Sequence, residues 1–250
     1  MGTTISISTS ITQADIDSYT FPIIINGGTL KNPVIISFGE DLTIGSSIGT
    51  SGDFIIGSEY ITINGQSHTV TINNTVNYPG LIQNGTNSLT AYTNVTLENI
   101  GVFSSETTTL LKYTGWLCQP YYGRGISTGL LLITNCNSNG TITKDGNGGI
   151  CGVGYGLNAS GGIFLITNCY STGNMTAQNG GGICGGGCGY EATGGKIEIK
   201  NCYSIGIISG IVIFGLLTNF RFSSTIWWQP LLDVILIKIL LFCVPIDLTI

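Results

Sequence analysis

The sequence predicts an all-β fold: a parallel β-helix solenoid with about 33 residues per coil, followed by an apolar tail that lacks the repeat. Three observations predict it. First, Ile133-Thr134-Asn135-Cys136, Ile166-Thr167-Asn168-Cys169 and Ile199-Lys200-Asn201-Cys202 stand one such period apart, and Gly149-Ile150-Cys151-Gly152 and Gly182-Ile183-Cys184-Gly185 keep the same interval. A fixed period of this length means one structural unit stacked on copies of itself. Second, Ile163, Leu165 and Thr167 alternate with Phe164, Ile166 and Asn168, which is the period-two signature of a strand. Third, the 250 residues carry only 8 Lys+Arg and 13 Asp+Glu but 38 Gly, with abundant Ile, Thr, Ser and Asn. Such a chain buries apolar surface with little self-repulsion. The glycines lack collagen's period, and Gly181-Gly182 and Gly185-Gly186-Gly187 forbid the helices that ankyrin or TPR units of similar length require.

Taken in order, residues 1–60 form an N-terminal cap with lead-in strands. Ile5-Ser6-Ile7-Ser8, Ile23–Ile25, Val34–Phe38, Leu42–Ile44 and Phe54–Ile56 are short β-rich runs. Turn signals at Asn26-Gly27-Gly28, Asn32-Pro33 and Gly52-Asp53 separate them. Ser10 followed by Gln13 fits a capping box and predicts one helical turn over 10–17, a lid for the open end of the stack.

Residues 61–210 are the coils. Ile61–Gly65 aligns with Val95–Asn99, and Pro79–Gln83 aligns with Gly115–Gln119, which in turn matches Gly149–Gly152. Each regular coil is expected to hold three short strands: the alternating run, then Gly173–Thr176, then Gly182–Gly185, with Asn-Cys-Tyr-Ser turning the chain after the first. Stacking makes Asn135, Asn168 and Asn201 an amide ladder. Tyr170 and Tyr203 stack beside it, and Gly140, Gly173 and Gly206 hold corners closed to a β-carbon.

The cysteines follow the same logic. Cys136, Cys169 and Cys202 form one column, and Cys118, Cys151 and Cys184 another. In-register parallel strands point such side chains the same way about 4.8 Å apart, which suits a disulfide poorly. The columns are expected to be buried free thiols acting as small hydrophobes. Zinc is not expected, since no paired Cys-x-x-Cys or Cys/His set exists; Cys184 and Cys188 are four apart and the single His68 is remote. No cofactor, metal or catalytic residue is assigned. The net charge of −5, without a basic stripe, excludes nucleic acid as a partner.

At this point the words Ile-Thr-Asn-Cys-Tyr-Ser-Thr-Gly-Asn and Gly-Gly-Gly-Ile-Cys-Gly resemble the glycine-rich (GLUG-like) β-helix repeats of adhesin-type proteins, and most closely those of uncharacterised giant-DNA-virus paralogues. Phe54–Gly65 resembles the first coils of the same proteins. The resemblance spans roughly residues 20–210 and implies a right-handed, pectate-lyase-like parallel β-helix. It supplies no catalytic motif, so no site residue is carried over.

Enzymatic chemistry on polysaccharides is weighed and set aside. Glycoside hydrolysis needs two carboxylates across one bond, and pectate-type lyases need an acidic calcium cluster plus a base. The regular coils offer only Asp145, Glu191 and Glu198, each in a different repeat position. Asp145 and Glu191 fall in corner loops. Glu198, between Lys196 and Lys200, is expected to face solvent and pair with a lysine; Arg124 and His68 stand alone, His68 in a surface turn. A non-catalytic structural or surface-recognition role follows, with glycans or other surface proteins as partners; the alternative is a polysaccharide lyase or glycoside hydrolase.

Residues 211–250 break the pattern. Their apolar run between Pro230 and Pro245 contains Asp233 and Lys238 and is short of the roughly 20 residues that span a bilayer, so membrane anchoring is disfavoured. A frameshift near residue 210 is the preferred reading, because codons for Leu232–Ile235 shifted by two bases permit Arg-Cys-Tyr-Ser; a capping segment is the other. The N-terminus lacks a basic region and apolar core, so no secretory signal is expected and the sequons at Asn73, Asn84, Asn94, Asn139, Asn158 and Asn174 are silent. Met1–Ser6 fits only the permissive myristoylation pattern. Free thiols fit a reducing compartment, a host cytoplasm or a virion.

Overall fold

The computed structural model describes residues 2–45, 53–85, 91–209 and 248–249. Its strands are short and almost all parallel. They are β1 (Thr4–Ile5), β2 (Thr9–Ile11), β3 (Ile23–Ile25), β4 (Val34–Phe38), β5 (Leu42–Ile44), β6 (Phe54–Ile56), β7 (Ile61–Asn64), β8 (Thr69–Ile72) and β9 (Ile82–Asn84). The later ones are β10 (Val95–Glu98), β11 (Gly101–Ser104), β12 (Leu130–Thr134), β13 (Asn137–Ser138), β14 (Ser160–Thr167), β15 (Tyr170–Ser171), β16 (Gly194–Lys200), β17 (Tyr203–Ser204) and β18 (Leu248–Thr249). One helix, α1 (Gln13–Ser18), accompanies them.

Three sheets result. The first runs β1-β3-β6-β9, the second β18-β16-β14-β12-β10-β7-β4-β2, and the third β17-β15-β13-β11-β8-β5. Successive strands of a sheet come from successive passes of the chain, so every neighbour but one is parallel; β18 pairs antiparallel with β16. No sheet breaks near residue 60: β4 pairs with β7, β5 with β8 and β6 with β9.

Register explains the core. In the second sheet Val34, Ile61, Val95, Leu131, Phe164 and Ile197 stand opposite one another in one inward row, and Ile36, Ile63, Leu97, Ile133, Ile166 and Ile199 in the next. Eleven of these twelve are buried, with Ile199 partly so. A one-residue slip would turn both rows to solvent, which is what fixes the register. In the first sheet Ile23, Phe54 and Ile82 form an inward row that continues as Cys118, Cys151 and Cys184 through single parallel bridges. The thiols therefore occupy sites that earlier strands fill with Ile and Phe.

The strand runs expected at 23–25, 34–38, 42–44 and 54–56 match β3 to β6, and the pairing of 61–64 with 95–98 is in the expected register. Four local expectations are corrected. Of the run at 5–8 only Ile5 is strand, the end of β1; Ser6–Ser8 form the corner before β2, which belongs to a different sheet. The capping box lies at Thr12 and Asp15 instead of Ser10 and Gln13. Ser10 is held extended opposite Ser37 in β2, so the helix starts only where the ladder ends. Ile11 before the cap and Ile16 after it are both buried, a hydrophobic staple. The second strand of the regular coil is Tyr170–Ser171, not Gly173–Thr176, which contributes only the bridge of Met175 to Ile142 and Ile208. Asn168 and Cys169 make the turn between β14 and β15, and the third strand shrinks to bridges at Gly181 and Cys184.

The expectations for residues 211–250 (frameshift product, anchor or capping segment) fall outside the described residues, apart from Leu248–Thr249. Among the described residues no helix is long and apolar enough to cross a membrane.

Candidate functional site

The outward faces carry the polar chemistry. Along the bend between the second and third sheets, Asn99 donates to Asn64 Oδ1 at 3.2 Å, Asn135 to Asn99 Oδ1 at 3.2 Å, and Asn201 to Asn168 Oδ1 at 3.2 Å. The ladder therefore begins two passes earlier than the repeat words suggest. Asn99, Asn135, Asn168 and Asn201 all have φ between 51° and 56°, in the left-handed region that Asn tolerates better than other side chains. Conformation and amide bonding select the same residue. Tyr170 and Tyr203 stack at 5.2 Å with planes 4° apart, Tyr203 being exposed.

The glycines beside this row are closed to a β-carbon, as expected, but by proximity and not by dihedral angle. A β-carbon on Gly173 would fall on Gly140 O, and one on Gly206 on Gly173 O. The Gly129, Gly162 and Gly195 column does need glycine's freedom, each at φ 82°.

A charged polar cluster lies at another bend, where successive turns are tied by Tyr113 N–H to Asp145 O at 3.0 Å and Gly146 N–H to Gln178 O at 3.1 Å. There Lys112 Nζ meets Asp145 Oδ2 at 3.2 Å and lies 4.4 Å from the Tyr113 ring centroid. Asn179 Nδ2 donates to Asp145 Oδ1 at 3.0 Å, and Lys144 Nζ donates to Asn77 Oδ1. The Asn179 amide, then Lys112, hold the Asp145 carboxyl below the usual range, while Tyr113 and then Asp145 raise the Lys112 ammonium. Lys112 and Asn179 are exposed, Lys144 and Asp145 half-buried.

The other acids considered for catalysis have separate surroundings. Glu198 is flanked by Lys196 at 2.6 Å and Lys200 at 3.2 Å, and these lysines lower its carboxyl. Its pairing is as expected but its exposure is not: the side chain is 6 % exposed. Strands β14 and β18 flank β16 on both sides, so Glu198 stands inside a sheet and not at its rim. Glu191 occupies an exposed turn at φ 55°. His68 sits in a turn with Nδ1 3.4 Å from Asp41 Oδ1, and Arg124 lies over the Tyr121 ring at 5.4 Å. The lysines on Glu198 are Lys196 and Lys200, and the one on Asp145 is Lys112. Among the described residues no group of three or more His, Cys, Asp or Glu side chains is placed to hold a metal ion.

The sequence reading missed the interior polar groups. Asp53 is fully buried and accepts from Tyr78 Oη at 2.6 Å; Tyr78 stacks on Trp116 at 6.0 Å. Asp53 Oδ1, Trp116 Nε1, Tyr122 Oη, Tyr155 Oη and Asn147 Nδ2 are buried without a hydrogen-bond partner among the described residues. The positions of Tyr122 and Tyr155, one period apart, could have flagged that column; for Asp53 nothing in the repeat could.

Clefts are shallow. One of about 230 Å³ lies between α1 and β5, lined by Ile16, Asp17, Tyr19, Phe21, Thr43 and Ile44 among others, and one of about 190 Å³ lies at Ala192–Gly195 and Ile197. Both fall below the roughly 300 Å³ at which small-molecule sites begin. Neither joins two carboxylates. No family model, curated protein or solved structure matches the chain.

Proposed function

We propose that the three sheets are the faces of one right-handed parallel β-helix of about 33 residues per coil, related to the GLUG-like repeat proteins that its words resemble. In this reading the protein is a non-catalytic structural or surface-recognition rod whose ligands are glycans. One observation carries it. Polar side chains repeat in register on the outside, as the Asn ladder, the tyrosine pair and the Lys112–Asp145–Asn179 bend, while the acids sit apart, each with its own neighbours.

Such a surface suits recognition better than bond cleavage. Amides and hydroxyls at strand spacing match the hydroxyl rows of an extended sugar chain, and ring faces accept sugar rings by stacking. Hydrolysis or elimination needs acids converging on one bond, an arrangement that Asp145, Glu191 and Glu198 do not make. The free thiols are a packing device, since Cys118, Cys151 and Cys184 continue a row of Ile and Phe.

The test pairs a glycan-array screen with a polysaccharide-degradation assay run with and without calcium. Retention of defined glycans without chain shortening is expected. Turnover in either calcium condition would replace this reading with that of a lyase or hydrolase.

A further inference from the structure

We infer that the bend built by Asn77, Lys112, Lys144, Asp145 and Asn179 is a binding site for anionic glycans, polysaccharide chains bearing carboxylate or sulfate groups. The inference rests on the recognition reading above and narrows its ligand.

The charge distribution comes first. Residues 1–110 hold eight acidic residues against one basic, whereas residues 111–209 hold five basic against three acidic. A chain with a net charge of −5 thus concentrates its positive charge in its later passes, and such asymmetry steers anionic ligands to one end. Within that half two cations, Arg124 and Lys144, form no ion pair among the described residues, and only Lys144 stands beside a second lysine, across the bend from Lys112. Lys112 is matched by Asp145, but Lys144 forms no ion pair among the described residues; its ammonium is held by the neutral Asn77 carbonyl. The bend keeps one unit of positive charge. Glu106, in the turn beside Asn74, pairs with neither lysine.

The groups are also fixed in place. Asp145 is gripped by Lys112 and Asn179, and the half-buried Lys144 is tied across to Asn77, so little side-chain freedom remains to be lost on binding. Asn77 Nδ2 makes no hydrogen bond of its own among the described residues and is a spare donor for a sugar hydroxyl. The turns follow each other at the strand spacing of about 4.8 Å, comparable to the length of a sugar residue, so an extended chain lying along the stack meets one turn per residue. Lys144 takes the anionic substituent, and the amides of Asn77 and Asn179 take flanking hydroxyls.

Three ligands separate the possibilities: polygalacturonate for carboxylate, chondroitin sulfate for sulfate, and neutral dextran, each measured against the full chain at low and physiological salt. Binding to either anionic polymer, weakened by salt and at least about tenfold weaker in Lys144→Gln, is expected, from the size of a charged hydrogen bond. Asp145→Asn removes a repelling charge and releases Lys112, so it is expected to bind anionic chains more tightly. A structural role alone would not produce these opposite signs. Lys31→Gln, outside the bend, is the unchanged control, and circular dichroism checks folding. Preference for one polymer names the anion and supports the inference. Dextran binding equal to that of the anionic chains, or an unaltered Lys144→Gln, overturns it while leaving glycan recognition standing. Failure of all three ligands, and of the wider array, overturns both.

Discussion

At the scale of a residue, Asp53 is the side chain whose chemistry is most at odds with its place. Backbone bonds from Ile23 N–H to Asp53 O at 2.8 Å and from Asp53 N–H to Leu81 O at 3.2 Å lock it between neighbouring strands, and the carboxyl lies wholly inside. Burial pushes that carboxyl up to about 7, against a smaller lowering from the Tyr78 hydroxyl, and Tyr78 is itself driven upward by burial and by Asp53. The sign of the pH effect follows. Below about pH 4 both folded and unfolded chains are protonated at this site. Between about 4 and 7 the unfolded chain releases the proton that the folded one keeps, so stability falls as pH rises, by about 4 kcal/mol at most for a three-unit shift. Above 7 the penalty stays constant. Asp53→Asn keeps a partner for Tyr78 and removes the charge. Melting curves from pH 4.5 to 8 should therefore show a falling Tm in the native protein and a flatter, higher profile in the variant. Parallel profiles would mean that the acid ionises without cost.

At the scale of the element, the bends decide the fold as much as the strands do. Asn168 sits at φ 54° and accepts the Asn201 amide, so two substitutions separate its two tasks. Asn168→Gly keeps the left-handed conformation and loses the amide, while Asn168→Ala loses both. Alanine is expected to cost about 1–2 kcal/mol more strain than asparagine, with glycine intermediate, read from denaturant midpoints. Equal losses would mean that the amide bond dominates. The same bends show what a sequence can reveal. Apolar runs with flanking turn signals marked β3 to β6 to the residue, because burial on one face of a short strand imposes its pattern directly. The corner at Ser6–Ser8 was invisible, since Ile5-Ser6-Ile7-Ser8 is β-prone throughout and only the pairing of β1 and β2 with different sheets turns it into a corner. Gly173–Thr176 looked like a strand but pairs through Met175 alone, whereas Tyr170–Ser171 looked like a turn and pairs in full. The Lys112–Asp145 contact was within reach, since the two stand one period apart like Cys118 and Cys151, but a lysine and an aspartate are unlike residues and so do not show as a column.

At the scale of the whole molecule, the stack orders its thiols by depth. Cys118, Cys136, Cys151 and Cys169 are sealed inside, while Cys184, Cys188 and Cys202, on the last described passes, are half-buried. Burial raises Cys118 and Cys151, and neighbouring thiols raise Cys169, Cys184, Cys188 and Cys202, so few are thiolates at neutral pH. The second column is further tied to the backbone, Cys136 Sγ donating to Thr134 O at 3.2 Å and Cys169 Sγ to Thr167 O at 3.3 Å. Under the proposed stack each pass contacts only its neighbours, so opening follows the burial of the individual passes. Maleimide labelling at pH 8, followed by peptide mapping, should therefore modify Cys184, Cys188 and Cys202 slowly and leave Cys118, Cys136, Cys151 and Cys169 unmodified. All eight cysteines should react in denaturant. A graded order, with Cys184 and Cys202 ahead of Cys151 and Cys169 and these ahead of Cys118 and Cys136 as denaturant rises, would show the stack opening from its later passes inward. Simultaneous reaction of both columns would instead mean that the passes unfold as one unit, and early reaction of Cys118 would mean that the interior row is open to solvent.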